Sequence, residues 1–485
     1  MAVLATPGFD LQPSAQQVPT STNYITDFDF MNQYLPDTYE KEFERYGNRT
    51  VASFLRMVGA EMPSNSDQIK WAEQGRLHVK YTKVGSAAIA AATTATLQIN
   101  DDPKAAGLVA PNGDTAGTPF NANHGIAIRV GQTIMLVPNA GGTSNKAVVT
   151  AVNAALTQCT VAFYDAGGLG VAGTGVGNSD YTLFIYGSEF RKGTAGMAGS
   201  LESDDFIFAN NPIIIKDTYA VSGSDMAQIG WVEISTEDGG TGYLWYLKSE
   251  HETRLRFEDY LETAMIEAVP AAAGSGAVAA NYIGSEGIFY VVENRGNVWG
   301  GGNPVALGDF DAVIQRLDKQ GSIEENVIFL NRQFGFDMDD MLAAQNSYGA
   351  GGTSYGLFDN DEEMALNLGF SGFRRGYDFY KTDWKYLNDP TMRGGITGAG
   401  VGINGLLVPA GSTSVYDQIL GKNAKRPFLH VRYRASETED RRYKSWVTGS
   451  AGGARTSDVD EMQVNFLSER AVCTLGANNF FLFKD

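Results

Sequence analysis

Three glycines give this chain its one match to a nucleotide-binding pattern. Gly168, Gly170 and Gly173 follow the spacing G-x-G-x-x-G after a strand-like run. In a nucleotide site such glycines open a helix whose amide groups hold a pyrophosphate. The residues TGVGNSD that follow here are typical of a turn. The stretch therefore predicts a glycine-rich hairpin loop and no cofactor.

A run of acidic residues is the second place where the residue types suggest chemistry. Residues 359–363 read DNDEE, and alternating oxygen ligands are what a calcium loop requires. Such a loop also needs a glycine at its sixth position and a glutamate at its twelfth, where this chain has Met364 and Phe370. The acids suit the N-terminus of a helix, DEEMALN, better than an irregular cation site. We expect no metal here.

The remaining reactive side chains are scattered. The four histidines are singletons (His78, His124, His251 and His430), and neither of the two cysteines, Cys159 and Cys473, lies in a metal-binding motif. No nucleophile elbow, zinc-protease motif or Walker loop occurs. The basic residues that cluster form two doublets, Arg374-Arg375 and Arg441-Arg442, and an alternating pair, Arg432 and Arg434. We expect salt bridges between subunits or solvated faces there rather than phosphate contacts. The sequence predicts no catalytic residue.

Length and charge limit the class of protein. A chain of 485 residues is too long for one core, and 57 glycines with 11% aromatic residues are typical of a folded, β-rich protein. A net charge of −19 argues against wrapping nucleic acid. The first residues lack the basic and apolar regions of a signal peptide, and no stretch is apolar enough to span a membrane.

One uninterrupted helical pattern organises the elements around it. No glycine or proline falls between Tyr243 and Val269, and one face is apolar. Glu250 and Arg254 interrupt this face at a spacing that lets them pair with each other or across a subunit boundary. Leu244, Leu255 and Ile266 lie on a second apolar flank. A helix with two apolar sides has two partners, so these five residues are candidates for an assembly interface.

The region before this helix is β-rich. Residues 1–36 are polar and predict an extended arm that orders on a neighbour. Short alternating runs between 83 and 187, with almost no charge, predict a barrel or sandwich of five to seven antiparallel strands. Strand-like stretches on either side of it would form a long extended loop.

The region after the helix has an α/β pattern. GIFYVV predicts a strand, and Asp309 and Asp337 each mark the start of a helix. NVIFL, GLLVPA and FLHVRYR predict further strands, and the C-terminal residues MQVNFLSERAVCTLGANNFFLF predict three short antiparallel strands. The fold class is thus α+β.

Several pieces of this chain resemble the Hong Kong 97-type major capsid proteins of tailed bacteriophages. SDQIKWAEQGR resembles the entry to that family's E-loop, and GYLWYLKSEHETRLRFEDYLETAM stands where the spine helix would be. INGLLVPAGS and VNFLSERAVCTLGANNFFLF resemble the family's late strands. Within the family, the chain is most similar to the proteins of crAss-like phages. The resemblance covers nearly the whole chain, except that residues 83–187 depart from the minimal pattern as an insertion domain.

The resemblance implies a domain order that can be written in residue numbers. It is an N-terminal arm (1–36), the start of the P-domain and E-loop (37–82), the insertion domain (83–187), the return of the E-loop (188–241), the spine helix and P-domain (242–286), the A-domain (287–424), and the C-terminal P-domain strands (425–485).

The resemblance also implies a function without catalysis. It predicts a subunit that assembles with itself into the pentamers and hexamers of an icosahedral head around double-stranded DNA. Expected partners are a separate scaffolding protein, a portal and head decoration proteins, without a membrane, and the family's isopeptide crosslink has no matching residues here. Another phage structural role, in a tail tube or as head decoration, stays open. So does carbohydrate binding by the β-rich insertion.

Overall fold

The structure is a computed structural model, and it describes only part of the chain. The described residues are 60–74, 78, 80–100, 126–199, 205–227, 234–235, 241–242, 245–345, 372–396, 398, 400–417, 422–453 and 455–485. The N-terminal arm, the acidic run 359–363 and Leu244 lie outside these ranges. The described residues belong to two compact units, a smaller one within 217–256 and 445–466 and a larger one within 60–216, 257–444 and 467–485.

The secondary structure is mixed and mostly β. The strands are β1 (Ala60–Ser64), β2 (Ile69–Gln74), β3 (Lys80–Ser86), β4 (Thr94–Ile99), β5 (Gln132–Pro138), β6 (Asn145–Val152), β7 (Gln158–Phe163), β8 (Tyr181–Ser188), β9 (Asp205–Asn210), β10 (Ile213–Ser222), β11 (Ile234–Ser235), β12 (Thr241–Gly242), β13 (Asn297–Trp299), β14 (Glu325–Leu330), β15 (Gly372–Arg375), β16 (Tyr377–Asp383), β17 (Ile403–Pro409), β18 (Ser412–Asp417), β19 (Lys422–Pro427), β20 (Leu429–Arg434), β21 (Lys444–Gly449), β22 (Glu461–Thr474) and β23 (Phe481–Lys484).

The helices are fewer and, with three exceptions, short. They are α1 (Gly223–Met226), α2 (Trp245–Glu267), α3 (Gly276–Ala279), α4 (Ile288–Arg295), α5 (Leu307–Gln320), α6 (Arg332–Gln345) and α7 (Lys385–Asn388). None of the helices in the described ranges combines the length and the apolar character needed to cross a bilayer.

Strands β3 to β8 close into a barrel. Their order around it is β3-β4-β7-β6-β5-β8, with β8 also paired to β3. All six pairings are antiparallel. Alternate residues point inward, as the period of two in a strand requires. Thus Leu97, Ile134 and Val161 are fully or almost fully buried. Closure leaves the barrel no free edge strand.

A six-stranded sheet forms a second core. Its order is β13-β23-β17-β14-β16-β15, with β14 parallel to β16 and antiparallel to β17. Helix α5 packs Phe310, Val313 and Leu317 into this core, and Gly321 ends the helix in the left-handed conformation (φ 69°). The prediction of a helix in this region is confirmed.

A five-stranded sheet contains β1, β20, β22 and β10 in this order, and β21 also pairs with β22. Strand β1 is parallel to β20, while β20 and β22 are antiparallel. The structure has one strand of 14 residues, β22, where the sequence predicted shorter ones. No turn residue interrupts it before Gly476, which has a positive φ of 60°. Strand β23 then joins the other sheet, parallel to β13 and antiparallel to β17. The prediction of three short antiparallel strands was wrong.

The stretch GIFYVV is also not a strand. It forms helix α4, in which Ile288, Phe289, Val291 and Val292 are buried on one side. These positions have the spacing i, i+1, i+3, i+4, so they fit a helix as well as a buried strand. A run this short does not distinguish the two, and packing against the core at Met265 and Leu482 decided it.

Two predicted helix starts are displaced. Helix α5 begins at Leu307, and Asp309 is its third residue, where its carboxylate accepts from the backbone N–H of Ala306 at 3.2 Å. Helix α6 begins at Arg332, five residues before Asp337, because the side chain of Asn331 accepts from the N–H of Phe334 at 2.7 Å. Asparagine is a strong N-cap residue, and the sequence argument overlooked it.

The long helix α2 has 23 residues and is about 35 Å long at ~1.5 Å per residue. It is two residues shorter at each end than the predicted range. Phe257, Leu261 and Met265, spaced i, i+4 and i+8 along one face of the helix, are buried.

Candidate functional site

A two-stranded ribbon links the barrel to the sheet of β20 and β22 within the larger unit. Strands β2 and β9 pair in antiparallel register, with Trp71 opposite Phe208 and Ala72 opposite Ile207. Side chains alternate between the two faces of such a pair. Trp71 and Phe208 therefore share the inner face, and Ile207 lies on the outer face. The chain reaches the barrel through β2 and returns from it through β9.

The guanidinium of Arg295 holds the inner face of the ribbon. Its centre lies 4.2 Å from the ring centroid of Phe208 and 5.8 Å from that of Trp71, within the range of a cation–π contact. The same side chain donates from Nη2 to Glu286 at 2.8 Å. Burial raises the pKa of Glu286, and the charge of Arg295 opposes this rise. A cation from helix α4 thus binds the ribbon through its aromatic side chains.

Asn210, the last residue of β9, is a second anchor. It is buried, and its Nδ2 donates to the carbonyl oxygens of Glu286 at 2.9 Å and Val472 at 2.7 Å. Its Oδ1 accepts from the hydroxyl of Ser285 at 2.9 Å and from the N–H groups of Glu286 and Asn211, both at 2.8 Å. One amide side chain therefore joins the ribbon, the loop before α4 and strand β22.

Strand β2 is fastened in a similar way. The carboxylate of Glu73 accepts from Trp71 Nε1 at 3.0 Å and from the backbone N–H of Gly476 at 2.9 Å. Ile69 is buried against Ala471 and Cys473. The base of the ribbon is fixed on both strands.

The outer face of the ribbon is exposed. Ile207 is 68% exposed within the described structure, although its neighbours on the inner face are packed. Ile214, on the next strand β10, is also exposed. Covering a large branched apolar side chain lowers the free energy, because apolar surface is removed from water. This face is therefore suited to contact with another protein surface.

The five interface candidates from the sequence have different surroundings. Ile266 is fully buried in the core of this chain, next to Ile288 and Leu429, so its predicted role at an interface is corrected. Leu255 is half-buried, and Leu244 lies outside the described residues.

The predicted pair in α2 remains a prediction. Glu250 and Arg254 are both half-buried, and Arg254 Nη2 lies 3.4 Å from His251 Nδ1.

The glycine motif forms a loop packed on the barrel. A Cβ at Gly173 would lie 2.0 Å from the carbonyl oxygen of Ser86, and one at Gly168 would lie 2.4 Å from that of Ala92. No helix follows in the described residues 174–180, and the glycines allow close approach between two backbone segments. The loop joins β7 to β8, which are not neighbours in the barrel, so the prediction of a hairpin was wrong and the segment is a crossover loop.

Three buried titratable side chains have pKa values far from neutral. Burial lowers the pKa of His430 to about 4, with further effects from Arg432 and Arg426. Burial raises the pKa of the Cys159 and Cys473 thiols to about 12. A thiol in this state is a poor nucleophile. Within the described ranges, no group of three or more His, Cys, Asp or Glu residues is placed to hold a metal ion.

The basic doublets pair with carboxylates of the same chain. Arg374 lies 3.2 Å from Asp378, and Arg375 lies 2.5 Å from Asp311.

The second doublet follows the same rule. Arg441 Nε lies 2.7 Å from Glu469, and Arg442 is paired with Glu61. These pairs lie within one subunit, and the side chains of Arg374 and Arg442 are more than half exposed. Of the two expectations, solvated faces rather than contacts between subunits fit these positions.

Sequence reasoning missed the ribbon's anchors. Arg295 and Asn210 are far from their partners along the chain, and neither lies in a motif. The one local sign was the pair Asn210-Asn211 before Pro212, which marks a strand end but does not show what the side chain binds.

Comparison with known proteins gave structural neighbours only. No protein-family model matches the sequence, and no curated protein matches it. Among solved structures, one from Microbacterium phage Oxtober96 aligns over 95% of this chain and 99% of its own, with a TM-score of 0.39 and 9% identity. The capsid of a native GTA particle aligns over 96% and 99%, with a TM-score of 0.38 and 8% identity.

A third neighbour is a protein shell of another kind. The holo-SrpI encapsulin complex from Synechococcus elongatus PCC 7942 aligns over 58% of this chain and 77% of its own, with a TM-score of 0.32 and 11% identity. The structural neighbours thus include phage capsids and an encapsulin. With TM-scores and identities this low, the likeness assigns neither an activity nor a partner to this chain.

Proposed function

We propose that this protein is a capsid subunit of the Hong Kong 97 type, and that the outer face of its ribbon is covered by a second copy in the assembled shell. The observation that carries the proposal is the ribbon itself. Its base is locked by Asn210 and Arg295, while Ile207 on the opposite face is 68% exposed.

The physical argument concerns the stability of such an element. A two-stranded ribbon is at best marginally stable in water and needs a packing surface. Here one face has that surface and the other does not, so a contact with a second molecule would complete it. A protein that forms a closed lattice of identical copies supplies such a contact at every position.

The more specific parts of the proposal come from the sequence resemblance. Copies would form pentamers and hexamers of an icosahedral head that encloses double-stranded DNA, in the virion of a crAss-like phage. Scaffolding, portal and decoration proteins would be the partners. A net charge of −19 suits a shell that encloses DNA without binding it tightly. No catalytic step is part of this role.

Assembly of an Ile207→Glu variant tests the proposal. A charge at this position would have to be desolvated in the contact, so particle yield should fall at least about tenfold relative to the unchanged protein. The measurement is sedimentation and negative-stain microscopy of the protein expressed with its phage head genes. The matched control is Ile89→Glu. Ile89 is also exposed, to 76%, but it lies in the loop between β3 and β4 of the barrel and not on the ribbon.

Two results would contradict the proposal. Equal particle yields for both variants would show that the ribbon's outer face is not a contact. Tubes in place of closed shells, from the unchanged protein, would favour a tail-tube role instead. Thermal unfolding of the unassembled Ile207→Glu protein should match that of the unchanged protein, because an exposed substitution has little effect on folding.

A further inference from the structure

One wall of the barrel carries aromatic side chains that face outward. We call it the aromatic wall and define it by Phe184 and Tyr186 on β8, Met135 on β5, Lys146 on β6, Tyr164 after β7, and Glu189 after β8. In the strand register Met135 lies opposite Lys146 on one side and Phe184 on the other. The N–H of Tyr164 donates to the carbonyl oxygen of Lys146 at 3.1 Å.

The three aromatic residues are partly exposed, each to between about a third and a half. Phe184, Tyr186 and Tyr164 are 38%, 46% and 49% exposed. The barrel core does not include them, since Tyr181 and Leu183 occupy the inward positions of the same strand and are fully buried. Their exposure is therefore not needed for the barrel core, and large exposed aromatic residues that lie together mark binding surfaces.

The charges on the wall are balanced and already engaged. Lys146 Nζ lies 5.6 Å from the ring centroid of Tyr186, and the hydroxyl of Tyr164 donates to the Glu189 carboxylate. Burial, the hydrogen bond to Glu189 and the nearby charge raise the pKa of Tyr164 to about 12, so its hydroxyl stays protonated as a donor. One cation and one anion leave no net charge for a charged polymer, and single-stranded nucleic acid needs a positive groove.

The size of the wall favours a small ligand. Three rings of about 200 Å² each with these exposures leave roughly 270 Å² of aromatic surface. A stable protein interface buries about 800 Å² on each partner, so the wall alone is too small for one. It is large enough for one or two saturated rings.

The wall is also held rigidly. Its side chains belong to strands of a closed barrel, or directly follow them, and the register fixes their spacing. A surface that is ordered before binding loses little entropy when a weak ligand binds.

We propose that the aromatic wall binds a neutral carbohydrate. The C–H faces of a saturated sugar ring would pack on Tyr186 and Phe184. The sugar hydroxyls would bond to the Glu189 carboxylate, the Lys146 ammonium group and the Tyr164 hydroxyl. This site is independent of the contact between copies proposed above.

Binding of the full-length protein to a glycan array tests this proposal. The array carries neutral oligosaccharides of hexoses and N-acetylhexosamines beside sialylated and sulfated glycans. We expect binding to neutral glycans, and Tyr186→Ala and Tyr164→Ala should each weaken it about tenfold because a ring's contact area is lost. Tyr186→Phe keeps the ring and should bind within about threefold of the unchanged protein.

The control is Tyr380→Ala, which removes a ring that is 54% exposed on β16, away from the barrel. It should leave binding unchanged, and thermal unfolding of every variant confirms that the fold is kept. The proposal is overturned by binding only to anionic glycans, by no binding at all, or by an equal loss in Tyr186→Ala and Tyr380→Ala. A variant that loses a protein partner while the unchanged protein binds no glycan would assign the wall to that partner instead.

Discussion

Asn210 donates from Nδ2 to the carbonyl oxygen of Val472 at 2.7 Å, which joins two residues 262 positions apart in the chain. The bond fixes the end of β9 to β22, close to the C-terminal end of that 14-residue strand. It shows why the ribbon has a defined base, since its return strand is tied to the sheet through a fully bonded buried amide.

Replacing this amide should destabilise the larger unit. Asn210→Ala would leave the carbonyl oxygen of Val472 and the N–H of Glu286 buried without their partners, at a cost of about 3 kcal/mol in the free energy of unfolding. Denaturant unfolding followed by fluorescence measures it. Asn294→Ala is the control, because that amide makes one exposed hydrogen bond within its own helix. A loss as small as in the control would mean that water replaces the Asn210 network.

His430 should make the folded state sensitive to mild acid. Its pKa is about 4 in the folded protein and 6.5 in its ordinary state, because burial disfavours the charged form. Between these values the unfolded chain binds more protons, so stability is fully present above pH 6.5 and is lost as the pH falls toward 4. The full loss amounts to about 3 kcal/mol.

A His430→Gln variant checks this dependence. It removes the titrating group, so the free energy of unfolding should depend less steeply on pH between 4 and 6.5. The decrease in slope should correspond to the uptake of up to about one proton on unfolding. An unchanged slope would show that other groups cause the acid sensitivity.

Gly173 should tolerate no side chain. A Cβ there would lie 2.0 Å from the carbonyl oxygen of Ser86, and backbone cannot move aside as a flexible side chain can. Gly173→Ala should therefore lower the free energy of unfolding by about 2 kcal/mol and speed amide exchange in β3. Gly177→Ala is the matched control, since nothing lies within 4 Å of a Cβ at that position. Equal exchange rates in the two variants would mean that the loop shifts without cost.

Two predictions about assembly come from the sequence and from α2. Glu250→Ala or Arg254→Ala should lower particle yield if the two residues pair with each other or across a subunit boundary, and an unchanged yield would assign them to a solvated face.

Deleting residues 1–30 should reduce assembly more than it reduces the melting temperature of the isolated subunit. A similar loss in both measurements would mean that the arm stabilises the subunit itself.

The local patterns that succeeded were those that repeat over many residues. Alternation in β4 to β8 predicted five to seven antiparallel strands, and the closed barrel has six. Helix α2 lies within its predicted range because a run without glycine or proline has few alternatives to a helix. Short apolar runs failed, as at Ile288 to Val292, because a few buried residues fit either period.

The sequence by itself determined the β-rich character of residues 83–187, the position of helix α2 and the lack of a recognisable catalytic motif. Composition and periodicity act locally, so they were sufficient for these features. Only the tertiary structure decided that Ile266 faces the core, that the basic doublets pair with carboxylates of this chain, and that Arg295 and Asn210 anchor the ribbon. Most of these features depend on contacts between residues far apart in the chain, such as Asn210 with Val472 and Arg375 with Asp311, and no local pattern encodes such contacts.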